Sequence, residues 1–509
     1  QQMQTKEYQR QKAEQLKREP KDICIPNIGS GTSTVIGIDI GICYASVAVI
    51  KDGKAIVLPN DEGFLKTPSV VACTQNGQWL VGLEAQRQAV TNPKNTFTGI
   101  LRFLGHDYNE VTEEAKQVSY NVVADARGKV KIECPALGKQ LSPEEIVAKI
   151  LDKLVRDTKH YLNQDVSGIV LTSQNCTTTH LLSLKDAAQL INLEVLRICS
   201  STLMAAIAYG SLQQQNETIL VVDIGGGHLS ASILAIDDGV YEVLSVSSGT
   251  CLGGKDFDKR IVDHLVKEFK NLEGLDLSSD SKAMQRLLNA AEKAKISLSD
   301  KTHTEINLPW IATTEATPKH LKLTLTRDKL NELIHDLIDR FRLTIEAVIR
   351  DAKLSKESID KIILVGGFSQ IPLVQNIVKK LLGKEPTIQP LSSMEVSLGG
   401  AIQGGLLSGH VKDILVLDVL PFSLKIKTLG RVASQIISRN TIIPNKRSET
   451  FTTTVDNQTQ IGIQILEGEG ELAEYNKTLG LLWIDIPPAP KGTPQVEVTV
   501  GVDANRLFG

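Results

Sequence analysis

An apolar hairpin pattern that occurs twice decides the fold of this chain. Residues 35–50 read V-I-G-I-D-I-G-I-C-Y-A-S-V-A-V-I, and residues 220–234 read L-V-V-D-I-G-G-G-H-L-S-A-S-I-L. In each copy an apolar run with one aspartate leads into glycine, a second apolar run and an Asp-Gly turn. Such runs predict β-hairpins. The repeat therefore predicts two lobes of one design, in which Asp39 corresponds to Asp223.

Alternating helix and strand patterns follow each copy. Residues 142–163 carry a helical apolar stripe, and residues 168–172 form a short apolar run typical of a strand. After the second copy, residues 328–352 again have helical spacing, and residues 362–367 are an apolar run that ends in Gly-Gly. This alternation predicts the α/β class for both lobes.

The pattern changes beyond residue 411. Residues 412–419 form a short charged and then apolar connector. Alternating strand patterns with turns between them follow it, at residues 450–455, 460–466, 478–484 and 495–502. Short alternating strands with regular turns predict a β-sandwich.

Composition limits the functional classes. The chain has 509 residues, of which 41% are hydrophobic and 23% charged, with a formal net charge of -3, so it can hold several cores and is not expected to bind nucleic acid generally. No apolar run reaches membrane-spanning length. The seven cysteines are scattered and lack metal-ligand spacing, which favours buried thiols in a reducing compartment. Residues 1–22 are polar and form either an arm that docks on a partner or a solvated tail.

Further motifs resemble those of the seventy-kilodalton heat-shock chaperone family in their order. They lie at residues 37–41, 67–71, 223–227, 252–258, 291–299, 363–367 and 416–419. The resemblance runs from about residue 35 to residue 505 and is closest to the bacterial DnaK and plastid stromal type. It implies an α/β, two-lobed actin-like ATPase fold, followed by a linker and a β-sandwich substrate-binding domain without the family's lid.

The resemblance also implies domain boundaries. We expect a polar arm at residues 1–34, a nucleotide-binding domain at residues 35–411, a linker at residues 412–420 and a truncated substrate-binding sandwich at residues 421–509.

A nucleotide site is the main functional expectation from the resemblance. Two aspartates, Asp39 and Asp223, are expected to hold Mg²⁺ through its water shell. Glycines are expected to approach the phosphates and the nucleoside, at Gly41, Gly225, Gly226, Gly227, Gly366 and Gly367. Polar residues of one helix, Glu292, Lys295 and Ser299, are expected at the adenosine. The alternative is that these glycines only form tight hairpin turns.

Several positions depart from the family's pattern. The family's catalytic lysine is Leu101 here, its catalytic glutamate is Ser201, and its proline switch is Ser173. The second phosphate loop carries His228 in place of a hydroxyl residue. Arg102 follows Leu101, but neighbours on a regular element point to different sides, so it is expected to point away from the site. These losses predict a pseudo-ATPase that is no enzyme, with weak or absent binding of ATP or ADP with Mg²⁺.

The resemblance also implies binding surfaces for proteins. Ile461 and Ile463 are expected to line a peptide groove, and the alternative is ordinary sandwich core. Arg197 and Asp418 match positions that couple the linker to J-domain proteins. Unfolded peptide and J-domain proteins are therefore expected partners, besides the subunits of a larger assembly.

The losses favour one functional hypothesis over another. The first is a catalytically degenerate scaffold, subunit or regulatory partner in a larger plastid assembly. The alternative is an active ATP-dependent protein-folding chaperone. The linker and sandwich disfavour a third class, a sugar kinase or filament-forming protein of the same fold. The expected location is the plastid stroma, with the bacterial-type cytosol or the mitochondrial matrix as alternatives.

Overall fold

The computed structural model describes residues 23–24, 34–213, 216–314, 317–388, 394–412 and 414–508. The predicted polar arm, residues 1–22, lies outside the described residues. The described chain forms a mixed α/β part that is followed by a β-rich region, as predicted.

The first lobe contains all the described strands before residue 201. Its strands are β1 (Ile23–Cys24), β2 (Val35–Ile40), β3 (Tyr44–Lys51), β4 (Lys54–Leu58), β5 (Thr67–Pro68), β6 (Val70–Cys73), β7 (Trp79–Val81), β8 (Thr96–Thr98), β9 (Val122–Ala124), β10 (Val130–Cys134), β11 (Lys139–Leu141), β12 (Gly168–Ser173) and β13 (Val195–Ser200). Its helices are α1 (Leu83–Gln88), α2 (Thr112–Ala115), α3 (Pro143–Leu162), α4 (Thr178–Gln189) and α5 (Ser201–Gln213).

The second lobe follows in the chain. Its strands are β14 (Glu217–Ile224), β15 (Leu229–Asp237), β16 (Val240–Thr250), β17 (His303–Thr314), β18 (Thr317–Thr326), β19 (Lys361–Val365), β20 (Thr387–Ile388) and β21 (Leu415–Leu417). Its helices are α6 (Gly254–Glu273), α7 (Ser281–Asp300), α8 (Arg327–Leu333), α9 (His335–Asp351) and α10 (Pro372–Leu382). Helix α11 (Met394–Leu407) follows them in the chain but packs on β2, β3 and β12 of the first lobe.

The two central sheets have the same topology. The strand order β4-β3-β2-β12-β13 of the first sheet corresponds to β16-β15-β14-β19-β20 of the second. In the first, β2 and β3 are antiparallel and β12 is parallel to β2, with Thr172 opposite Asp39. In the second, β14 and β15 are antiparallel and β19 is parallel to β14, with Val365 opposite Asp223. The predicted duplication of an α/β unit is confirmed.

The sheets meet at helices α5 and α11, which pack against each other. One buried apolar cluster joins Val35 and Val170 of the first sheet, Val221 and Ile363 of the second, and Ala401 of α11. This shared core lies between the two sheets. Because it is closely packed, it fixes the loop after β2 relative to the loop after β14.

Helix boundaries follow local sequence signals. Helix α3 begins after Ser142, whose Oγ accepts the Glu145 N–H at 3.2 Å while Glu145 Oε2 accepts the Ser142 N–H at 2.6 Å. This capping box satisfies N–H groups that the first turn leaves free. The predicted helix over 328–352 is instead two helices, α8 and α9, with a break at Ile334, which has φ -108° and ψ 6°. None of the helices in the described ranges is long and apolar enough to cross a membrane.

The C-terminal region is built from two antiparallel sheets. The strands are β22 (Leu424–Lys427), β23 (Ala433–Ile437), β24 (Asn445–Thr452), β25 (Gln460–Glu467), β26 (Lys477–Asp485) and β27 (Gln495–Val502). Their orders are β23-β22-β25-β26 and β24-β27. Residues from both sheets share one apolar core, as in a sandwich. The connector before them contains strand β21, which pairs in parallel with β16. The sequence pattern did not indicate this strand.

Polar contacts hold the C-terminal region on the first lobe. The Glu467 carboxylate accepts the Thr178 N–H at 3.1 Å and the Thr178 hydroxyl at 2.5 Å. The Lys477 ammonium lies 2.6 Å from Glu110 Oε2. Asn505 Oδ1 accepts the Ile198 N–H at 3.2 Å.

Candidate functional site

A cleft between the two lobes brings the repeated loops together. A cavity of about 430 Å³ is lined by Ile42 and Tyr44 from the first lobe and by Lys255 and Glu292 from the second. The loop after β14 packs closely on the first lobe, because a Cβ added at Gly227 would lie 2.4 Å from Ile42 Cδ1. A side chain at Gly227 would therefore have to displace the side chains of Ile42 and Arg102.

Two aspartates occupy equivalent positions in the two sheets. Burial and the neighbouring charge of Asp223 raise the pKa of Asp39 to about 8, although the Thr172 hydroxyl, which donates to Asp39 Oδ1 at 3.0 Å, opposes the shift. Burial also raises the pKa of Asp223 to about 6, opposed by the side chains of Ser201 and Gln174. Two buried carboxylates that repel each other are stabilised by a bound cation.

Lys66 is a cation near Asp39 that sequence reasoning missed. Thr67 of β5 lies opposite Ala45 of β3, and Lys66 comes directly before Thr67. Asp39 of β2 lies opposite Ser46, the next residue of β3, so Lys66 and Asp39 approach β3 from its two sides. Burial lowers the pKa of Lys66 to about 8, while Asp39 raises it and Lys66 in turn lowers the pKa of Asp39. The sequence signal that could have indicated it is its place directly before the motif at residues 67–71.

Arg102 also reaches the cleft, so the prediction that it points away is wrong. Its Nη2 lies 2.7 Å from Asp256 Oδ2 and 3.5 Å from the Gly227 carbonyl oxygen, and its Nε is buried without a hydrogen-bond partner among the described residues. Leu101 instead points into the first-lobe core and is 2% exposed. The reason is that Ile100–Phe103 is a single 3-10 turn after left-handed Gly99, not a regular element.

The other substituted positions are buried behind the loops. Ser201 begins helix α5 and is fully buried beside Asp223. The Ser173 hydroxyl lies 3.2 Å from His180 Nε2. Burial and the charge of His180 hold the pKa of His228 well below its usual value, so His228 is a neutral imidazole. These groups therefore add no positive charge to the cleft.

The expected adenosine residues lie on one helix but not in one environment. Glu292 lines the cavity, whereas Lys295 is buried, with its ammonium 2.6 Å from Asp258 Oδ1 and 4.8 Å from the Phe368 ring centre. The Ser299 carbonyl oxygen accepts Arg327 Nη2 at 3.1 Å. The structure thus brings Glu292 to the cavity and uses Lys295 as an ion-pair partner inside the second lobe.

The remaining expected glycines border the same loops. Gly366 has φ +84°, and a Cβ there would lie 2.2 Å from the Ile224 carbonyl oxygen, so glycine is required. Gly367 has open space around an added Cβ. Gly41 closes the first loop, because its N–H donates to the Tyr44 carbonyl oxygen at 3.0 Å. Gly225 does the same in the second, where its N–H donates to the His228 carbonyl oxygen at 3.1 Å.

The residues present fit a magnesium nucleotide. Carboxylate oxygens are the ligands that Mg²⁺ favours, and the two aspartates carry charge that a cation would offset. The cavity volume of about 430 Å³ is in the range of small-molecule sites. Lys66 and Arg102 add positive charge near the loops that phosphates would approach.

The expected peptide groove is not found at the predicted residues. Ile461 and Ile463 are 6% and 2% exposed and belong to the sandwich core. The alternative interpretation, ordinary core, describes their positions. They alternate with Gln460 and Gly462, which face outward. The prediction therefore placed the groove on the face of β25 that packs in the core.

The predicted coupling residues lie at the junction of the linker and the first lobe. Asp418 is buried and accepts both hydrogen bonds of an ion pair with Arg506 Nη2, at 2.6 and 2.8 Å. The charges of Arg197, Asp418 and Arg506 all act on the Cys199 thiol, whose pKa burial raises. Sequence reasoning missed Arg506, because it lies 88 residues from its partner.

Comparison with known proteins shows which family this chain belongs to. Residues 35–509 match the family model described as Hsp70 protein. The chain belongs to the Hsp70 family. It is 50% identical over 476 residues to the "Chaperone protein dnaK" of Cyanidioschyzon merolae, covering 93% of this chain and 78% of the relative.

Chloroplast relatives are as similar to this Hsp70 chain. It is 50% identical over 482 residues to "Heat shock 70 kDa protein 7, chloroplastic" of Arabidopsis thaliana and to the "Stromal 70 kDa heat shock-related protein, chloroplastic" of Pisum sativum. These alignments cover 93% of this chain but 66% and 67% of the relatives, so this Hsp70 chain spans about two thirds of their length.

These relatives overturn two expectations. The hypothesis of a catalytically degenerate scaffold is wrong, because relatives at 50% identity are named as chaperones and heat-shock proteins. The expectation that the chain is no enzyme is wrong as well, because Hsp70 chaperones are ATPases. The inference from Leu101 did not include the charges of Lys66, near Asp39, and of Arg102, which lines the cavity.

Proposed function

We propose that this Hsp70 is an ATP-dependent protein-folding chaperone of the plastid type. The observation that carries the proposal is the cleft, where duplicated aspartate and glycine loops meet beside two cations, Lys66 and Arg102. Positioning and electrostatics supply most of the catalysis in phosphoryl transfer, and this arrangement supplies both.

The roles of the residues follow from their chemistry. Asp39 and Asp223 hold Mg²⁺, which offsets phosphate charge when it is bound. The backbone of Gly225–Gly227 and of Gly41 approaches the phosphates, and Glu292 contacts the nucleoside from the cavity wall. Lys66, near Asp39, and Arg102, near Gly227, attract the terminal phosphate. We propose residues 35–411, 412–420 and 421–509 as the nucleotide-binding domain, the linker and the substrate-binding domain.

Partners and location follow from the family. Unfolded peptide and J-domain proteins are the proposed partners. Arg197 and Asp418 lie at the junction of the linker and the first lobe, where a J-domain protein would bind. Chloroplastic relatives support a plastid location.

Single-turnover ATP hydrolysis tests this function. We expect the chain to convert bound ATP to ADP with Mg²⁺ present. Asp223→Asn should slow conversion by about 100-fold or more, since one lost electrostatic group commonly costs that much. Asp237→Asn is the matched control, because Asp237 is an exposed residue at the end of β15. Bound ATP that remains unconverted in the unaltered chain would contradict the proposal.

A further inference from the structure

Gln174 reaches from the first lobe onto the second, and none of the roles proposed above uses it. It directly follows β12, and its carbonyl oxygen accepts the hydroxyls of Ser230 and Ser248, at 2.6 and 2.7 Å. Ser230 lies on β15 and Ser248 on β16, so two strands of the second lobe hold the backbone of this one residue. Gln174 is therefore anchored where the two lobes meet.

The side chain of Gln174 lies against the loop after β14. A Cβ added at Gly225 would lie 2.3 Å from Gln174 Oε1 and 2.5 Å from its Nε2, so the amide covers this glycine. The other two glycines of the loop face different first-lobe side chains, Cys43 at Gly226 and Ile42 at Gly227. The amide of Gln174 is thus a polar group at the start of the loop that the phosphates are proposed to approach.

The neighbours of Gln174 determine how its amide is oriented. The Gln174 side chain hydrogen-bonds the Asp223 carboxylate, and this bond opposes the burial that raises the pKa of Asp223. A carboxylate only accepts hydrogen bonds, so the amide donates to Asp223 through Nε2. The amide oxygen Oε1 is then left to accept a hydrogen bond from another donor.

A water molecule in the cleft is the donor that suits this position. Gln174 is only half-buried, so solvent reaches its amide. Leu101 points into the core and Ser201 is fully buried, so neither brings a charged group to this water. A residue that orients the attacking water recurs in proteins that hydrolyse nucleoside triphosphates. An amide is suited to this task because its oxygen accepts a hydrogen bond without taking the proton.

We propose that Gln174 orients the water that attacks ATP. This role depends on the proposed function, because the water is that of ATP hydrolysis. The water oxygen bonds to the terminal phosphorus while the bond from that phosphorus to the bridging oxygen breaks, and the electron pair of the broken bond stays on ADP. One proton of the water remains on the new phosphate and the other goes to solvent, so Gln174 holds the water and takes no proton.

Hydrolysis and nucleotide affinity of the full chain together separate an orienting role from a packing role. Gln174→Met keeps the length of the side chain and removes its amide. We expect it to slow single-turnover ATP conversion by about 100-fold, since misplacing a reacting group by about 1 Å can cost that much. Its affinity for ADP with Mg²⁺ should not change. Gln189→Met is the matched control, because Gln189 is exposed at the end of helix α4.

ADP with aluminium fluoride gives a measurement that needs no turnover, because this pair mimics the phosphate during transfer. We expect the unaltered chain to bind it at least about tenfold more tightly than ADP alone, and Gln174→Met to lose most of that difference. Gln174→Ala, which removes the amide and adds no bulk, should behave in the same way and covers the case in which Gln174→Met does not fold.

Three results would overturn the role of Gln174. Undiminished hydrolysis in both variants would show that the amide does not act on the water, and it would leave the proposed function intact. An equal loss of ADP affinity and of hydrolysis would assign Gln174 to packing of the loop after β14. An unaltered chain that converts no bound ATP would overturn the proposed function as well.

Discussion

At the scale of single residues, the charge of Lys66 is the most testable feature of the cleft. Lys66 comes directly before β5, and its charge lowers the pKa of the Asp39 carboxyl. We predict that Lys66→Met slows single-turnover ATP hydrolysis by about 100-fold, the effect of one lost electrostatic group. The measurement is phosphate release from a preformed complex of the chain with ATP.

A charge-conserving variant separates charge from packing. If the positive charge of Lys66 is what hydrolysis needs, Lys66→Arg should keep most of the rate that Lys66→Met loses. Lys446→Met, at an exposed position on β24, is the control. Equal rates for Lys66→Met and the unaltered chain would show that Lys66 takes no part in hydrolysis.

Glu395 gives a pH dependence of stability. Burial alone raises its pKa from 4.5 to about 8, and it has no hydrogen bond or ion pair within the described ranges. Because the folded state binds this proton more tightly than the unfolded state, its contribution to stability is lost as pH rises from about 4.5 to 8. Each pKa unit corresponds to about 1.4 kcal/mol.

We therefore predict that Glu395→Gln raises the midpoint of urea unfolding at pH 9 by an amount that vanishes near pH 4. Glu385→Gln is the control, because Glu385 is paired with Lys379 on the surface. A pH-independent difference between Glu395→Gln and the unaltered chain would assign the effect to packing.

Leu101 and Arg102 show why residue-level prediction failed in the cleft. The motif identified the segment correctly, but the direction of each side chain depends on a 3-10 turn after left-handed Gly99. No periodicity specifies which of two neighbours such a turn sends into the core. Ile461 and Ile463 failed for a related reason, since alternation locates two faces of β25 and does not say which one is the core.

At the scale of elements, helix α4 is capped by a residue from the other end of the chain. The N-terminus of this helix carries partial positive charge, and Glu467 accepts both the N–H and the hydroxyl of Thr178 there. We predict that Glu467→Gln accelerates amide hydrogen exchange in the first turn of α4 by about tenfold, since a neutral amide stabilises a helix N-terminus less than a carboxylate does.

Glu469→Gln is the control for that variant. Glu469 accepts the Ser423 N–H at 2.8 Å and so makes its contacts inside the sandwich. Faster exchange in α4 for both variants would indicate a general loss of sandwich stability, and unchanged exchange for both would show that Glu467 does not hold the helix.

Elements were predicted best where the pattern was local. The two hairpins, helix α3 with its capping box, and β27 follow from short-range sequence signals. The break at Ile334 and the strand β21 do not, because β21 pairs with β16, more than 160 residues earlier in the chain. Long-range pairing of this kind leaves no periodic signal in a connector of eight residues.

At the scale of the whole molecule, the buried ion pair of Arg506 and Asp418 joins the end of the sandwich to the linker. The two side chains are 1% and 2% exposed, and Arg506 has φ 64°, a region that favours glycine. Removing one partner of a buried pair commonly costs about 3–5 kcal/mol, because it leaves an uncompensated charge. We predict that Arg506→Met releases the sandwich from the first lobe, which small-angle scattering would detect as a larger radius of gyration and limited proteolysis as cleavage near residues 412–419.

Three comparisons distinguish charge from strain in that release. Arg506→Gly relieves the backbone but leaves Asp418 alone, so it should open the molecule as Arg506→Met does. Asp418→Asn combined with Arg506→Met removes both charges and should restore part of the compact form. Arg447→Met, on the exposed strand β24, should change nothing. If Arg506→Gly alone stays compact while Arg506→Met opens, the strained backbone and not the ion pair would control docking, and the linker would be held by the pairing of β21 with β16.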